Sequence, residues 1–135
     1  MKQITKVRRV ANHFRAWAEK NTLYGDDLMG MCSIVSFEIF DALHLEGFNV
    51  QFCTNEQHSF VLWFDKRGTI YLIDATATQF YKWLPKVMVR RYDKLPKLSF
   101  TPWEIRGRAH TPDEVKHLLR NWFTDQKPMQ FRKAA

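Results

Sequence analysis

At 135 residues, with 45% hydrophobic and 15% aromatic side chains and only five glycines and five prolines, the chain is sized and composed for one globular domain with a real core. That composition excludes collagen-like and low-complexity classes, and two cysteines exclude a disulfide-dense scaffold. The formal charge of +7 would attract an acidic partner, protein or nucleic acid, while the plainer reading, a solvated surface on a basic protein, is the preferred one.

The first predicted element is a helix over residues 4–20. Ile4, Val7, Ala11, Phe14 and Ala18 recur at three- and four-residue steps and share one face, which Val10 and Trp17 widen. Lys6, Arg8, Arg9, Arg15 and Lys20 are expected mostly on the outside. No run is apolar enough to span a bilayer, so no membrane partner is expected. The N-terminal residues lead straight into this amphipathic pattern with no signal-like apolar core, so a cytoplasmic location is expected.

Residues 21–30 break the periodicity. A second helix is expected to open at Cys32 and to run through Ile34, Val35, Phe37, Ile39, Phe40, Ala42, Leu43 and Leu45, with Gly47 just past its last turn. It is apolar nearly all round, the mark of a central helix. Its polar residues Ser33, Ser36 and His44 form a narrow stripe, expected to face backbone or the site.

Three strands follow: residues 49–54, 58–64 and 69–73, the last ending in Asp74. Asn55, Glu56 and Gln57 form the first connection and Asp65-Lys66-Arg67-Gly68 the second, a turn with Gly where positive φ is wanted. Residues 75–84 read as a loop or helical turn stopped by Pro85, and residues 87–89 and 98–100 as short strands. Thr111-Pro112-Asp113-Glu114 is a capping-box helix start, with Val115, Leu118, Leu119 and Trp122 as its buried face. The expected architecture is α+β, a central helix headed by Cys32 on a small antiparallel sheet, flanked by an N-terminal and a C-terminal helix. One domain covers residues 1–125, and 126–135 form a basic tail.

Three chemical groups fall at meaningful places in this layout. Cys32 sits in the first turn of a helix, where free N–H groups and the dipole favour a thiolate, just after Gly30, which permits a sharp turn and close substrate approach. Its own N–H is a candidate oxyanion donor. In the second hairpin, facing positions sum to 133 or 134, depending on whether the turn centres between Lys66 and Arg67 or on Arg67; His58 and Asp74 sum to 132. They therefore lie within one or two residues of facing each other at the open end. A carboxylate there can fix the imidazole tautomer and leave the other ring nitrogen for Cys32. Each residue also has a plain reading: Cys32 as a small core hydrophobe, His58 as a strand-start surface residue, Asp74 as a turn carboxylate.

Taken together, Met31-Cys32-Ser33 opening the helix, His58-Ser59-Phe60-Val61 opening a strand and Ile73-Asp74-Ala75-Thr76 closing the next resemble the papain-like/transglutaminase-like superfamily. The run from Leu72 to Phe80 is similar to the Asp-x-Thr-Ala-x-Gln-Phe segment of papain-like fold toxins and deamidases of bacterial and phage origin. The resemblance covers about Gly30 to Phe80. It implies Cys32 as nucleophile, His58 as general base and then acid, and Asp74 as orienter, acting on a protein or peptide amide as peptidase, glutamine deamidase or transglutaminase. It also admits a target cell's cytoplasm as the place of action. The glutamine that papain-type proteases carry shortly before the cysteine has no counterpart in residues 21–31, which leaves the oxyanion hole to backbone N–H groups around Gly30 and Met31. Gln79 and Trp63 are further candidates for substrate or oxyanion contact, and Trp63, Phe64, Tyr81 and Trp83 for the walls of a groove. No cofactor is expected, since no Gly-rich phosphate loop is present, and Cys32, Cys53 and His58 match no zinc spacing. The competing reading is a non-catalytic basic module that binds nucleic acid or an acidic protein on the same fold.

Overall fold

The protein is described by a computed structural model covering residues 2–21, 28, 30–105 and 108–110. The expected capping-box helix at Thr111 and the tail from Gln126 lie outside those residues. Helix α1 spans Gln3–Asn21 and α2 spans Cys32–Leu45. Strands β1 (Val50–Thr54), β2 (Ser59–Phe64), β3 (Ile70–Asp74), β4 (Met88–Arg91) and β5 (Arg108–His110) form one antiparallel sheet in the order β4-β3-β2-β1-β5. The result is a small α+β fold. No helix among the described residues is long and apolar enough to cross a membrane.

Both faces of the sheet are covered, and by different material. Along β2, Val61 and Trp63 point to one face and Phe60 and Leu62 to the other, as period-two geometry requires. Val61, Trp63, Phe52, Ile73 and Val89 meet α1 and α2 through Val7, Ala11, Phe14, Ile34, Phe37 and Phe40. Phe60, Leu62, Leu72, Met88 and Cys53 meet an irregular layer supplied by residues 77–103, with Ala77, Leu84 and the fully buried Trp103. This two-sided covering explains why β2 reads as an unbroken apolar run in the sequence.

The chain approaches α2 through a tight turn. The Met31 N–H donates to the Leu28 carbonyl at 3.0 Å, with Leu28 at φ 57° and Gly30 at φ 79°. A Cβ at position 30 meets nothing within 4 Å, so it is the backbone conformation, not space, that favours glycine there.

Two expectations are corrected. Residues 98–100 form no strand; the Tyr81 hydroxyl accepts from the Phe100 N–H and donates to its carbonyl, and these bonds replace ladder pairing. Arg15 is buried, not outward, at 6% exposure. Its Nη1 donates to the Ala75 carbonyl at 3.1 Å, the Thr78 hydroxyl at 2.9 Å and the Lys86 carbonyl at 3.1 Å, while Nε bonds Glu19 at 3.0 Å. A cation tolerates burial when its donors are satisfied in this way. Arg15 thus clasps both ends of the segment that follows Asp74.

Candidate active site

The alternation along β2 sets the site. Ser59, in step with Val61 and Trp63, faces the helices; His58, in step with Phe60 and Leu62, faces the irregular layer. Ser33 and Ser36 of α2 meet Ser59: the two hydroxyls of Ser33 and Ser59 lie 3.0 Å apart, and the Ser36 hydroxyl donates to the Ser59 carbonyl at 3.0 Å. The expected polar stripe therefore stitches the helix to the start of β2, one residue along from Cys32 on one side and from His58 on the other. His44, the third member of the stripe, is exposed and stacks on Phe40.

The β2–β3 register pairs Val61 with Ile73 and Leu62 with Leu72, a sum of 134, which sets His58 and Asp74 two residues out of step across the strand ends. They meet: His58 Nε2 lies 2.6 Å from Asp74 Oδ2, with both side chains fully buried. Asp74 accepts from every direction. The Trp103 indole N–H donates to Oδ2 at 2.7 Å, and the Thr76 N–H and hydroxyl donate to Oδ1 at 2.8 and 3.3 Å. Since Nε2 is committed to the carboxylate, Nδ1 is the ring nitrogen left for the thiol. The Cys32 thiol lies close enough to the His58 ring and the Ser59 backbone N–H for both to lower its pKa.

These contacts reshape the acidities. Burial opposes the charge on Asp74, but the His58 charge and hydrogen bond, then Trp103 and Thr76, hold its carboxyl below the usual range. Burial likewise opposes an imidazolium at His58, yet the Asp74 charge and hydrogen bond, with the thiol, raise its pKa to about 9. At Cys32 burial raises the thiol pKa, and the His58 hydrogen bond and charge with the Ser59 N–H outweigh it, so the net movement is downward. Cys53, which has burial alone, is pushed up to about 12. The two thiols of one small protein are therefore driven in opposite directions, and the partly exposed Cys32 is the acidic one.

The helix end adds to this. Met31 caps α2 without a side-chain hydrogen bond, so its side chain takes none of the first-turn N–H groups that begin at Cys32. Met31 itself is buried in the helix-side core. Gln79, in a short 3-10 turn over Ala77–Gln79, places Nε2 3.4 Å from His58 Nδ1, the ring nitrogen that Asp74 does not hold. Phe80 packs edge-on against the His58 ring at 4.8 Å between centroids.

Trp63 is not part of this cluster. It lies five residues along β2, about 16 Å away at the usual strand rise, and is 3% exposed in the helix-side core, stacked on Tyr71 at 4.7 Å. Phe64 sits beside it, at the same far end of the strand. Tyr81 and Trp83 are nearer, following Phe80 in sequence, and Trp83 is 67% exposed. Sequence reasoning missed Trp103, Arg15 and Asn55. Trp103 lies between irregular segments with no periodicity to mark it, and Arg15 looked like one of several surface cations. Among the described residues no cluster of His, Cys, Asp and Glu forms a metal-binding set.

No protein-family model, curated protein or solved structure gives a significant match to this chain.

Proposed function

We propose that this protein is a thiol-dependent amide hydrolase or acyl transferase acting on a protein or peptide, with Cys32 as nucleophile, His58 as proton carrier and Asp74 as orienter. The observation that carries the reading is the buried His58–Asp74 pair at 2.6 Å beside the Cys32 thiol, whose pKa His58 lowers. The papain/transglutaminase-like layout read from the sequence is part of the proposal, supported by a cysteine at a helix start meeting His and Asp at adjacent strand ends.

In the proposed reaction the His58–Asp74 pair holds Cys32 as thiolate. Sulfur attacks the amide carbonyl carbon, and the carbonyl oxygen takes the negative charge and accepts hydrogen bonds from N–H groups at the start of α2. The C–N bond breaks as His58 Nδ1 gives its proton to the leaving nitrogen, and a thioester remains on Cys32. Water then attacks the thioester carbon, His58 takes its proton, and the thiolate departs. Ammonia as the leaving group makes this a deamidase, a peptide amine makes it a peptidase, and an amine in place of water makes it a transferase. The surplus of positive charge favours acidic proteins as substrates.

The test uses a generic acyl donor, because the proposal concerns the thiol and not one substrate. With p-nitrophenyl acetate the protein should release a burst of one nitrophenolate per chain and carry an acetyl group on Cys32 by mass spectrometry. Cys32→Ala should abolish the burst, and His58→Gln should slow it at least about hundredfold. Acylation spread equally over both cysteines or over lysines contradicts the proposal.

A further inference from the structure

We infer that Asn55 is a positioning residue for the His58–Asp74 pair, acting as a strap that fixes Trp103 relative to the His58 backbone. Its side-chain amide is used in four directions. Oδ1 accepts the N–H of Gln57 and the N–H of His58, both at 2.9 Å. Nδ2 donates to the Pro102 carbonyl at 2.9 Å and the Glu104 carbonyl at 3.0 Å. Those carbonyls bracket Trp103, whose indole N–H ends on Asp74 Oδ2, the same oxygen that His58 Nε2 reaches. One amide therefore sets the distance between the two segments whose donors converge on one carboxylate oxygen.

The surroundings make this a tight constraint. Asp74 and Trp103 are both at 0% exposure, so a donor that withdraws from Oδ2 leaves buried polar groups unpaired or admits water. The Tyr92 hydroxyl also donates to the Trp103 carbonyl, but that anchors Trp103 beside β4 and not to His58. The turn at residues 55–57 needs only the two acceptor bonds of Asn55; the two donor bonds do nothing for the turn and serve Trp103 alone. Only a side chain that both donates and accepts two bonds fills the position.

The inference rests on Asp74 orienting His58, and its test keeps the two claims apart. Asn55→Ser retains a neutral acceptor for the turn and removes both amide N–H donors, leaving one hydroxyl on a shorter side chain. In the folded variant, NMR should show the His58 Nε2 and Trp103 Nε1 protons exchanging with solvent at least about tenfold faster, while amides elsewhere in β2 and β3 keep their protection. The pH profile of Cys32 alkylation by iodoacetamide should move upward by about one unit, which slows labelling about tenfold at pH 6. Trp103→Phe, which has no indole N–H, should reproduce the faster His58 Nε2 exchange and the alkylation shift, and the double variant should add little to either. An Asn55→Ser protein that only melts earlier, with ring-proton exchange and alkylation profile unchanged, overturns the inference. If Asn55→Ser does not fold, the unaltered protein decides: slow exchange of the Asn55 amide protons supports the strap, and rapid exchange overturns it. An ordinary alkylation profile in the unaltered protein defeats the proposed function instead, and the exchange measurement still reads the strap.

Discussion

Substituting Asp74 by Asn removes one charge and almost no volume, yet it strikes every bond the carboxylate makes. Oδ2 accepts from His58 and Trp103, and Oδ1 from Thr76 twice. A side-chain amide has one oxygen, so its NH₂ must face one of those donor pairs whichever way it is turned. The electrostatic consequence falls on His58. The Asp74 charge and hydrogen bond are the main influences that raise its pKa from 6.5 to about 9, against the burial that lowers it. Without them the ring should titrate at or below its ordinary value. The difference is worth about 3 kcal/mol, taking about 1.4 kcal/mol per pH unit. At pH 7.5 the imidazolium then falls from nearly the whole population to about a tenth or less, and the thiolate that pairs with it falls in step. The assay is an NMR titration of the histidine ring carbons, with His58 identified by its absence in His58→Gln. A His58 that still titrates near 9 in Asp74→Asn refutes the reasoning, since it places the source of the shift elsewhere.

Three further outcomes follow from the same structure. Arg15→Met unhooks both ends of the segment after Asp74 and leaves the Ala75 and Lys86 carbonyls without their donor; urea unfolding should show a loss of about 2–4 kcal/mol. The raised pKa of His58 means that its contribution to stability is complete below pH 6.5 and disappears as pH rises through about 9. The difference in unfolding free energy between Cys32→Ala and Cys32→Ala/His58→Gln should therefore shrink as pH rises above 6.5 and reach its floor below pH 9, since the thiol's share of the shift is gone, and a difference that grows with pH contradicts the assignment. Phe80→Ala removes the edge contact on the His58 ring and should increase ring exposure, read as faster exchange of the Nε2 proton with the melting temperature only modestly lowered.

Much of the site was legible in the sequence because it depends on local signals. A glycine before an apolar helix places Cys32 in the first turn, and a four-residue turn fixes the hairpin register that brings His58 near Asp74. The stripe of Ser33 and Ser36 was visible as spacing alone, and both hydroxyls do meet the backbone or side chain of Ser59. What the sequence hid was long-range and irregular. Trp103, Asn55 and Arg15 act through side-chain hydrogen bonds between segments that follow no period, and a buried arginine looks the same in a sequence as an exposed one. Trp63 was misjudged for the reverse reason: an aromatic residue on the strand after the histidine suggests a pocket wall, but alternation turns it to the helix side and five residues carry it out of reach.

The central claim is that one thiol in this molecule is held ready as a thiolate by an imidazole and a buried carboxylate. Rates of iodoacetamide labelling at Cys32 and Cys53, followed by peptide mass spectrometry from about pH 5 to 10, address it directly. Cys32 should label rapidly at pH 6, at least about a hundred times faster than Cys53, whose thiol pKa is pushed up to about 12, and His58→Gln should return Cys32 to ordinary thiol behaviour. Two cysteines that label together, slowly below pH 8 and with no response to His58→Gln, contradict it.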